Sequence, residues 1–376
     1  MGTTREYQIC ARCIMDTTDP DINFDNDGIC NHCRKYDKRE KNELYKGSSG
    51  QKKLSILVDE IKKQGKGKAY DCIIGLSGGI DSTMVAYTVK KMGLRPLAIH
   101  LDNGWDTELS VKNIENIVKK LDIDLHTYVV DWEEFKDLQL SFLKASVANS
   151  EIPTDHAIVA ILFRTAVKEG VKYIISGGNI VTEAIMPASW GYDPKDWKHI
   201  KGLHKIFGKI KLKTFPHLNI FDWFYYIFVK GVTFIPILNY IDYNKESVIR
   251  LLEKELGWKY YGGKHYESIY TRFFQAHILP TKFNIDKRRA HLSTLVCSGQ
   301  LTRAQALEEM KQELYSPDKL KDDEEYIIKK FGLKEGEFKE IMASPIKSYK
   351  DYPNDHFLFN KLDFIARFAK KLATRN

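Results

Sequence analysis

Residues 70–90 read YDCIIGLSGGIDSTMVAYTVK. An apolar, partly β-branched run from Cys72 to Leu76 stops at Ser77-Gly78-Gly79-Ile80-Asp81-Ser82, and Ile80, Met84 and Tyr87 then recur at helical spacing. The pattern predicts a strand, a tight glycine loop and the start of a helix. Two adjacent glycines let backbone N–H groups turn toward the concave side, the helix adds its positive N-terminal end, and the hydroxyls of Ser77 and Ser82 add donors. Such a nest holds phosphate oxygens. No Gly-Lys-Ser/Thr closes the loop and no lysine lies within it, so it is not a Walker A sequence.

Around this stretch, apolar runs alternate with helical patterns. A second run, Pro96 to Leu101, ends at Asp102-Asn103-Gly104-Trp105; a third covers Leu125 to Val130; a fourth, Lys172 to Ser176, ends at Gly177-Gly178-Asn179. Helical spacing fills Glu108 to Leu121 and Ala157 to Lys168. The alternation predicts a doubly wound parallel sheet with ligands at the carboxyl ends of the strands, so the loop ends at Ser77, Asp102 and Gly177 are expected to face one crevice. Asn42 to Lys53 reads as a polar linker, followed by a short amphipathic helix through Leu54, Ile56, Leu57, Val58 and Ile61.

Six cysteines are present, and four form two C-x-x-C pairs, Cys10/Cys13 and Cys30/Cys33, separated by 16 residues. Each pair forms a knuckle offering two sulfurs to one Zn²⁺. An iron–sulfur cluster is the competing occupant, and a disulfide pairing is disfavoured in a chain with no export signal. A ribbon of about 35 residues cannot build its own core, so the metal is expected to hold it folded. His32 is expected outside the ligand set.

The 376 residues carry 58 Lys and Arg against 50 Asp and Glu, a formal charge of +8. This balance suits anionic ligands such as ATP, nucleotide sugars or RNA without choosing among them. The N-terminus lacks an apolar h-region and a small-residue cleavage site, so a cytoplasmic protein is expected.

The S-G-G-x-D-S order resembles the PP-loop of ATP pyrophosphatases, which cleave ATP between the α and β phosphates and transfer AMP to a substrate oxygen. The resemblance narrows with CARCIMDTTDPDINFDNDGICNHC (10–33), GLSGGIDST (75–83), SGGNIVTEAIMP (176–187) and the block GWKYYGGKHYESIYTRFFQAHILPTKFNIDKRRAHLSTLVCSGQLTR (257–303). Together these resemble the N-acetyl sugar amidotransferases of bacterial lipopolysaccharide and O-antigen biosynthesis. The resemblance implies conversion of an N-acetyl group to an acetamidino group with ATP and ammonia. The sugar would be a UDP-linked diacetamido uronic acid or, in related branches, a nine-carbon acid.

The expected fold class is α/β in three parts: a zinc ribbon (1–42), a PP-loop sheet of adenine nucleotide α-hydrolase type (54–245) and a helical C-terminal region reaching the active site (246–376). Gly75, Ser77, Gly78, Gly79, Asp81, Ser82, Asp102, Gly177 and Gly178 are the candidate ATP-binding residues. Asp81 is the candidate Mg²⁺ ligand, since a hard cation must bridge phosphate oxygens; a first-turn carboxylate also suits the helix dipole. In the block 257–303, cationic residues are candidates to stabilise the departing pyrophosphate, led by Lys264 and Arg272, with Lys282, Arg288 and Arg289 in the same cluster. Glu267 and His265 are the candidates for proton handling, and Glu183 is placed to reach substrate or metal.

Outside the ribbon only Cys72 and Cys297 remain, both isolated in sequence. Without a glutaminase nucleophile of its own, the chain is expected to draw ammonia from a glutaminase and a barrel subunit resembling imidazole-glycerol-phosphate synthase, as the resemblance implies. The rival reading is a tRNA-thiolating enzyme, which shares loop, ribbon and charge but usually needs a catalytic cysteine pair near ATP. No nucleic acid partner is expected.

Lys198 to His217 holds six lysines and no acidic residue, read as a solvated face or as an attractor for nucleotide-sugar phosphates or a partner. Phe221 to Leu238 is aromatic but too interrupted for a membrane span. It is expected to form a buried helix entering a fifth strand (Thr233 to Leu238), with partner docking or peripheral membrane contact as alternatives. Leu301 to Asn376 reads as packing helices, one opened by Thr302-Arg303-Ala304-Gln305, one at Tyr326 to Phe331 and one over Asp355 to Leu372.

Overall fold

The structure, a computed structural model, describes residues 6–263 and 266–359. Two antiparallel bridges, Ile9 with Asp16 and Phe24 with Cys30, form the two cysteine knuckles, and α1 (Asn31–Glu43) leaves the second. Helix α2 (Gly47–Gly65) follows. The expected linker is therefore mostly helical. Tertiary contact overrides its glycine and serine content: Tyr45 donates its N–H to the Asn239 carbonyl, and Gly47 donates to Asp242. Gly50 sits so close to the chain that a Cβ there would lie 2.4 Å from the Tyr45 carbonyl oxygen.

Strand β1 (Cys72–Gly75) leads into α3 (Ile80–Lys91), β2 (Pro96–Asp102), α4 (Glu108–Leu121) and β3 (Asp124–Val129). Next come α5 (Trp132–Lys144), α6 (Ile152–Lys168), β4 (Tyr173–Ser176) and the short α7 (Ile180–Glu183). α8 (Trp197–Phe207) and α9 (Ile220–Phe224), which continues as a π-turn Tyr225–Val229, precede β5 (Thr233–Pro236). The expected strand and helix order is observed, with boundaries shifted by a few residues.

All five strands are parallel, in the order β3-β2-β1-β4-β5. Successive strands step away from β1 on one side and resume at β4 on the other, so the order reverses beside β1, where open α/β sheets bind ligands. One face of the sheet buries Ile74, Ala98 and Ile175 against Val85 of α3 and Leu252 of α10 (Lys245–Leu256); the other buries Ile73, Ile99 and Ile174 against α6. The apolar runs lack strict alternation because both faces are covered.

Helices α11 (Ile269–Phe273), α12 (Leu279–Phe283), α13 (Lys287–Cys297), α14 (Arg303–Glu309), α15 (Pro317–Phe331) and α16 (Glu335–Ala343) complete the described chain. The Thr302 hydroxyl and the Gln305 side chain form the capping box that the sequence signalled for α14. One apolar cluster joins the ribbon cysteines to Phe135 and Phe142 of α5, Leu203 of α8 and Phe273 of α11. The ribbon thus borrows its core from the helices around it. Most of the helix expected over 355–372 lies outside the described residues.

The aromatic stretch departs from its expected burial. No residue of Ile220–Val229 is fully buried, and Phe221 is 80% exposed. β5 is an edge strand, and among the described residues no further strand continues the sheet beyond it to cover the segment.

Candidate active site

The glycine loop between β1 and α3 is fixed from outside as well as by its own hydroxyls. Gly78 has φ +78°, and a Cβ there would meet the Ser110 carbonyl oxygen at 2.7 Å. Both facts demand glycine. Trp258 donates its indole N–H to the Gly78 carbonyl at 2.8 Å, Tyr261 accepts from the Ile80 N–H at 3.3 Å, and the Ser77 and Ser82 hydroxyls lie 3.2 Å apart.

Asp81, in the first turn of α3, accepts a 2.6 Å hydrogen bond from the Tyr243 hydroxyl and a 3.3 Å one from the Asn179 amide. Gly177 presses the end of β4 onto this turn: a Cβ there would lie 3.1 Å from the Asp81 Cβ. Burial raises the Tyr243 hydroxyl pKa, and the Asp81 carboxylate reinforces the shift. Tyr243 therefore stays a proton donor to Asp81. Burial and the Glu267 carboxylate act the same way on Tyr261.

The loop forms one wall of a cleft of 640 Å³. Ser77, Gly79, Asp81, Ser82, Gly177, Gly178 and Glu183 line this side, while Lys245, Tyr260, Glu267, Lys287, Arg288 and His291 line the other. Glu267 bends over the loop, with Oε1 3.3 Å from the point where a Gly79 Cβ would stand. Of the cations, Lys287 pairs with Glu151 at 2.9 Å and Arg288 with Asp286 at 2.7 Å. The arrangement offers a glycine loop at a helix N-terminus and a carboxylate on one side, and a mixed polar and aromatic wall on the other. It can hold a triphosphate with a second substrate facing it.

The four ribbon cysteines lie with every Sγ within 4.8 Å of the others, Cys10 to Cys33 at 3.8 Å and Cys13 to Cys30 at 3.7 Å. A tetrahedron with Zn–S bonds of about 2.3 Å has edges of about 3.8 Å, so the quartet fits one zinc ion. Backbone N–H groups of Arg12 and Cys30 point at the Cys10 sulfur, at 3.4 and 3.2 Å, as a thiolate requires. His32 stands outside the quartet, bonded to Asp19 at 2.6 Å.

The ribbon also braces the cleft. Helix α13, whose first residues line the cleft, holds it through Ser293, which accepts from the Ile14 N–H, and Arg289, which pairs with Asp16 at 3.0 Å. Arg303 donates to the Cys10 and Cys13 carbonyls.

Several sequence expectations need correction. Arg272 does not line the cleft; it is buried in a bidentate pair with Asp323 at 2.8 Å, with Tyr315 beside it. Lys282 is drawn to the carbonyls of Ile341, Met342 and Ser344 at the end of α16, and burial lowers its pKa. Arg289 serves the ribbon. Among the described residues, the expected cationic cluster is thus divided: Arg272, Arg288 and Arg289 go to separate ion pairs and Lys282 to backbone carbonyls. Asp102 turns its carboxylate back to the Gly104 N–H at 2.9 Å and, with Gly75 and Gly78, is absent from the cleft lining. Lys264 and His265 lie outside the described residues. Cys297 is not isolated: its sulfur is 3.6 Å from that of Cys33. Sequence reading missed Tyr243, Asn179, Tyr261, Lys245 and His291. The aromatics among the glycines at 258–263 were the one local signal for part of this set.

Residues 267–368 match the family described as LPS biosynthesis protein WbpG-like, C-terminal domain, and residues 51–152 match NAD synthase. No curated protein matches the chain. Among solved structures, NMN synthetase from Francisella tularensis is 14% identical, covers 77% of this chain and 98% of its own, and gives a TM-score of 0.36. The NH3-dependent NAD synthetase from Campylobacter jejuni subsp. jejuni NCTC 11168 is 14% identical, covering 75% and 95%, with a TM-score of 0.32. A predicted subunit of tRNA methyltransferase from Methanocaldococcus jannaschii is 15% identical, covering 48% and 74%, with a TM-score of 0.28.

Proposed function

We propose, for a chain that joins an NAD synthase-like PP-loop domain to a WbpG-like C-terminal domain, an ATP-dependent amidotransferase that makes an amidine on an N-acetylated sugar in lipopolysaccharide synthesis. The observation that carries this reading is the cleft itself, in which the glycine loop and the WbpG-like region face each other across one cavity.

An amide carbonyl is a weak electrophile. Transfer of AMP from ATP to the acetamido oxygen releases pyrophosphate and creates an imidate carbon bearing a good leaving group; ammonia adds there, AMP departs, and a proton is lost. Oxygen is replaced by NH. The loop N–H groups with Ser77 and Ser82 would hold the pyrophosphate. Asp81, held by Tyr243 and Asn179, would bind the Mg²⁺ that supplies charge neutralisation, since a carboxylate suits a hard cation. Glu267, over the loop, is the described residue best placed to take the proton.

The ammonia would come from outside the chain, from the glutaminase and barrel subunits that the sequence led us to expect. In support, Cys72 is wholly buried in β1 and Cys297 lies against the cysteine quartet, so neither serves as a glutaminase nucleophile. The same placements tell against sulfur transfer to tRNA. The test is incubation with ATP, Mg²⁺, ammonium and a UDP-diacetamido uronic acid, following pyrophosphate and sugar mass. A loss of about one mass unit with AMP formed supports the reading, because only an activated acetamido oxygen exchanges for NH. Pyrophosphate release with tRNA and a sulfur donor, and none with sugar, would replace it.

A further inference from the structure

The segment between α8 and β5 turns an unusual face to solvent. Phe221, Phe224 and Phe228 recur at helical spacing on its outer side and are 80%, 56% and 60% exposed. The inner side is anchored, with Trp223 and Tyr226 packed on Phe163 of α6 at 5.0 and 5.8 Å. A surface helix normally turns its polar side outward; here the outward side is a ridge of rings, two of them in contact at 5.0 Å.

The chain leading into this ridge is basic. From Trp197 to Phe221 there is no acidic residue, and Lys205, Lys209, Lys211 and Lys213 are exposed, with Ile206 and Ile210 exposed among them. The backbone under these lysines is pinned rather than loose. Asp137 accepts from the N–H groups of Lys209 and Ile210, and Glu134 from those of Lys213, Thr214 and Phe215. The nearby carboxylates are consumed below the surface, which leaves the lysine side chains to face outward. Phe357, 76% exposed, belongs to a segment tied to the same face: Lys198 pairs with Asp355 at 2.8 Å, and Lys195 lies 6.0 Å from both Trp223 and Phe359.

We propose that this face docks on the surface of an anionic lipid bilayer. Phenylalanines standing proud of the surface would enter the headgroup and acyl boundary, while flanking lysines would meet lipid phosphates with their alkyl stems laid along the apolar region. A second copy of the chain fits less well, because a two-fold contact through this face would set lysines against lysines. No described helix is long and apolar enough to cross a membrane, so the contact is one of lying on the bilayer.

The test sediments the purified full chain with vesicles of phosphatidylcholine alone or with added phosphatidylglycerol. The wild type is expected to co-sediment with the anionic vesicles and to be released as salt is raised to about 0.5 M. The triple variant Phe221→Ser, Phe224→Ser, Phe228→Ser is expected to bind more than about tenfold more weakly, since affinity scales with the apolar area inserted. Its far-ultraviolet circular dichroism should be unchanged because the rings removed face water. A Lys209→Glu, Lys211→Glu, Lys213→Glu variant should lose binding independently. Three results would overturn the proposal: no binding to anionic vesicles at low salt, undiminished binding by the phenylalanine variant, or a wild-type dimer that the phenylalanine variant renders monomeric.

Discussion

The two walls of the cleft are built on different principles. The loop wall is main chain from Ser77 to Ser82, with the N–H groups of Ser77, Gly79 and Ile80 held by the Ser82, Ser77 and Tyr261 hydroxyls, and its shape follows from one glycine with positive φ. The facing wall is assembled from side chains of α10, α13 and the segment around Glu267, and two of its cations, Lys287 and Arg288, are already engaged with carboxylates. A phosphate cradle made of backbone costs no side-chain ordering when the ligand arrives. A wall made of paired side chains can shift its polarity to suit the substrate, but it depends on distant parts of the fold to hold it.

That contrast can be broken most severely at its support. If the quartet holds zinc, Cys30→Ser or treatment with a chelator is expected to lower the unfolding midpoint by ~10 °C or more, because structural zinc binding is folding energy for a segment without its own core. Metal analysis and a thermal melt check it. A melt unchanged after the metal is gone would show that the shared apolar cluster alone holds the ribbon against α13.

Arg272→Ala separates structure from chemistry on the helical wall. Breaking its buried pair with Asp323 is expected to lower stability by about 3–5 kcal/mol, measured by denaturant unfolding. The KM for ATP should stay near the wild-type value in whatever protein folds. A large rise in that KM with unchanged stability would return Arg272 to the phosphates.

On the loop wall, Gly78→Ala should do the opposite. A Cβ 2.7 Å from the Ser110 carbonyl, at φ +78°, forces the loop out of shape. Pyrophosphate release is expected to fall by about 100-fold, equivalent to roughly 2.7 kcal/mol in the barrier. The melt should move less than for Arg272→Ala.

The smallest expected effect concerns pH. Burial pulls His156 down to about 4, and its neutral ring accepts from the Leu218 N–H at 3.0 Å while Nδ1 donates to the Pro194 carbonyl at 2.6 Å. A histidine lowered in the fold contributes its stability above the unfolded pKa, near 6.5, and loses it as pH falls toward the folded value. Stability should therefore drop by about 2–3 kcal/mol between pH 6.5 and 4 from this ring alone. His156→Asn should flatten that part of the stability profile, as read by denaturant unfolding at each pH.

Much of this protein was legible in its residues. The run Cys72–Gly75, the loop and the helix from Ile80 are settled by neighbours in the chain: β-branched apolar residues, a glycine pair and helical spacing are local facts. The same is true of the C-x-x-C knuckles and of the capping box at Thr302 and Gln305. These patterns also placed the cleft at the carboxyl end of β1.

Partnership was beyond the sequence. Arg272 looked like a pyrophosphate ligand until the fold set Asp323, 51 residues on, against its guanidinium. Tyr243 reaches Asp81 across 162 residues, and Cys297 reaches Cys33 across 264. The polar stretch before Leu54 became helix because Asn239 and Asp242 came to meet it, and the aromatic stretch at Phe221 stayed exposed because, among the described residues, the sheet ends at β5. Secondary structure and loop chemistry follow from short-range sterics and hydrogen bonding, which the sequence carries in itself. Which charge is neutralised, and which ring meets solvent, depends on what folding brings alongside, and that was decided only by the tertiary structure.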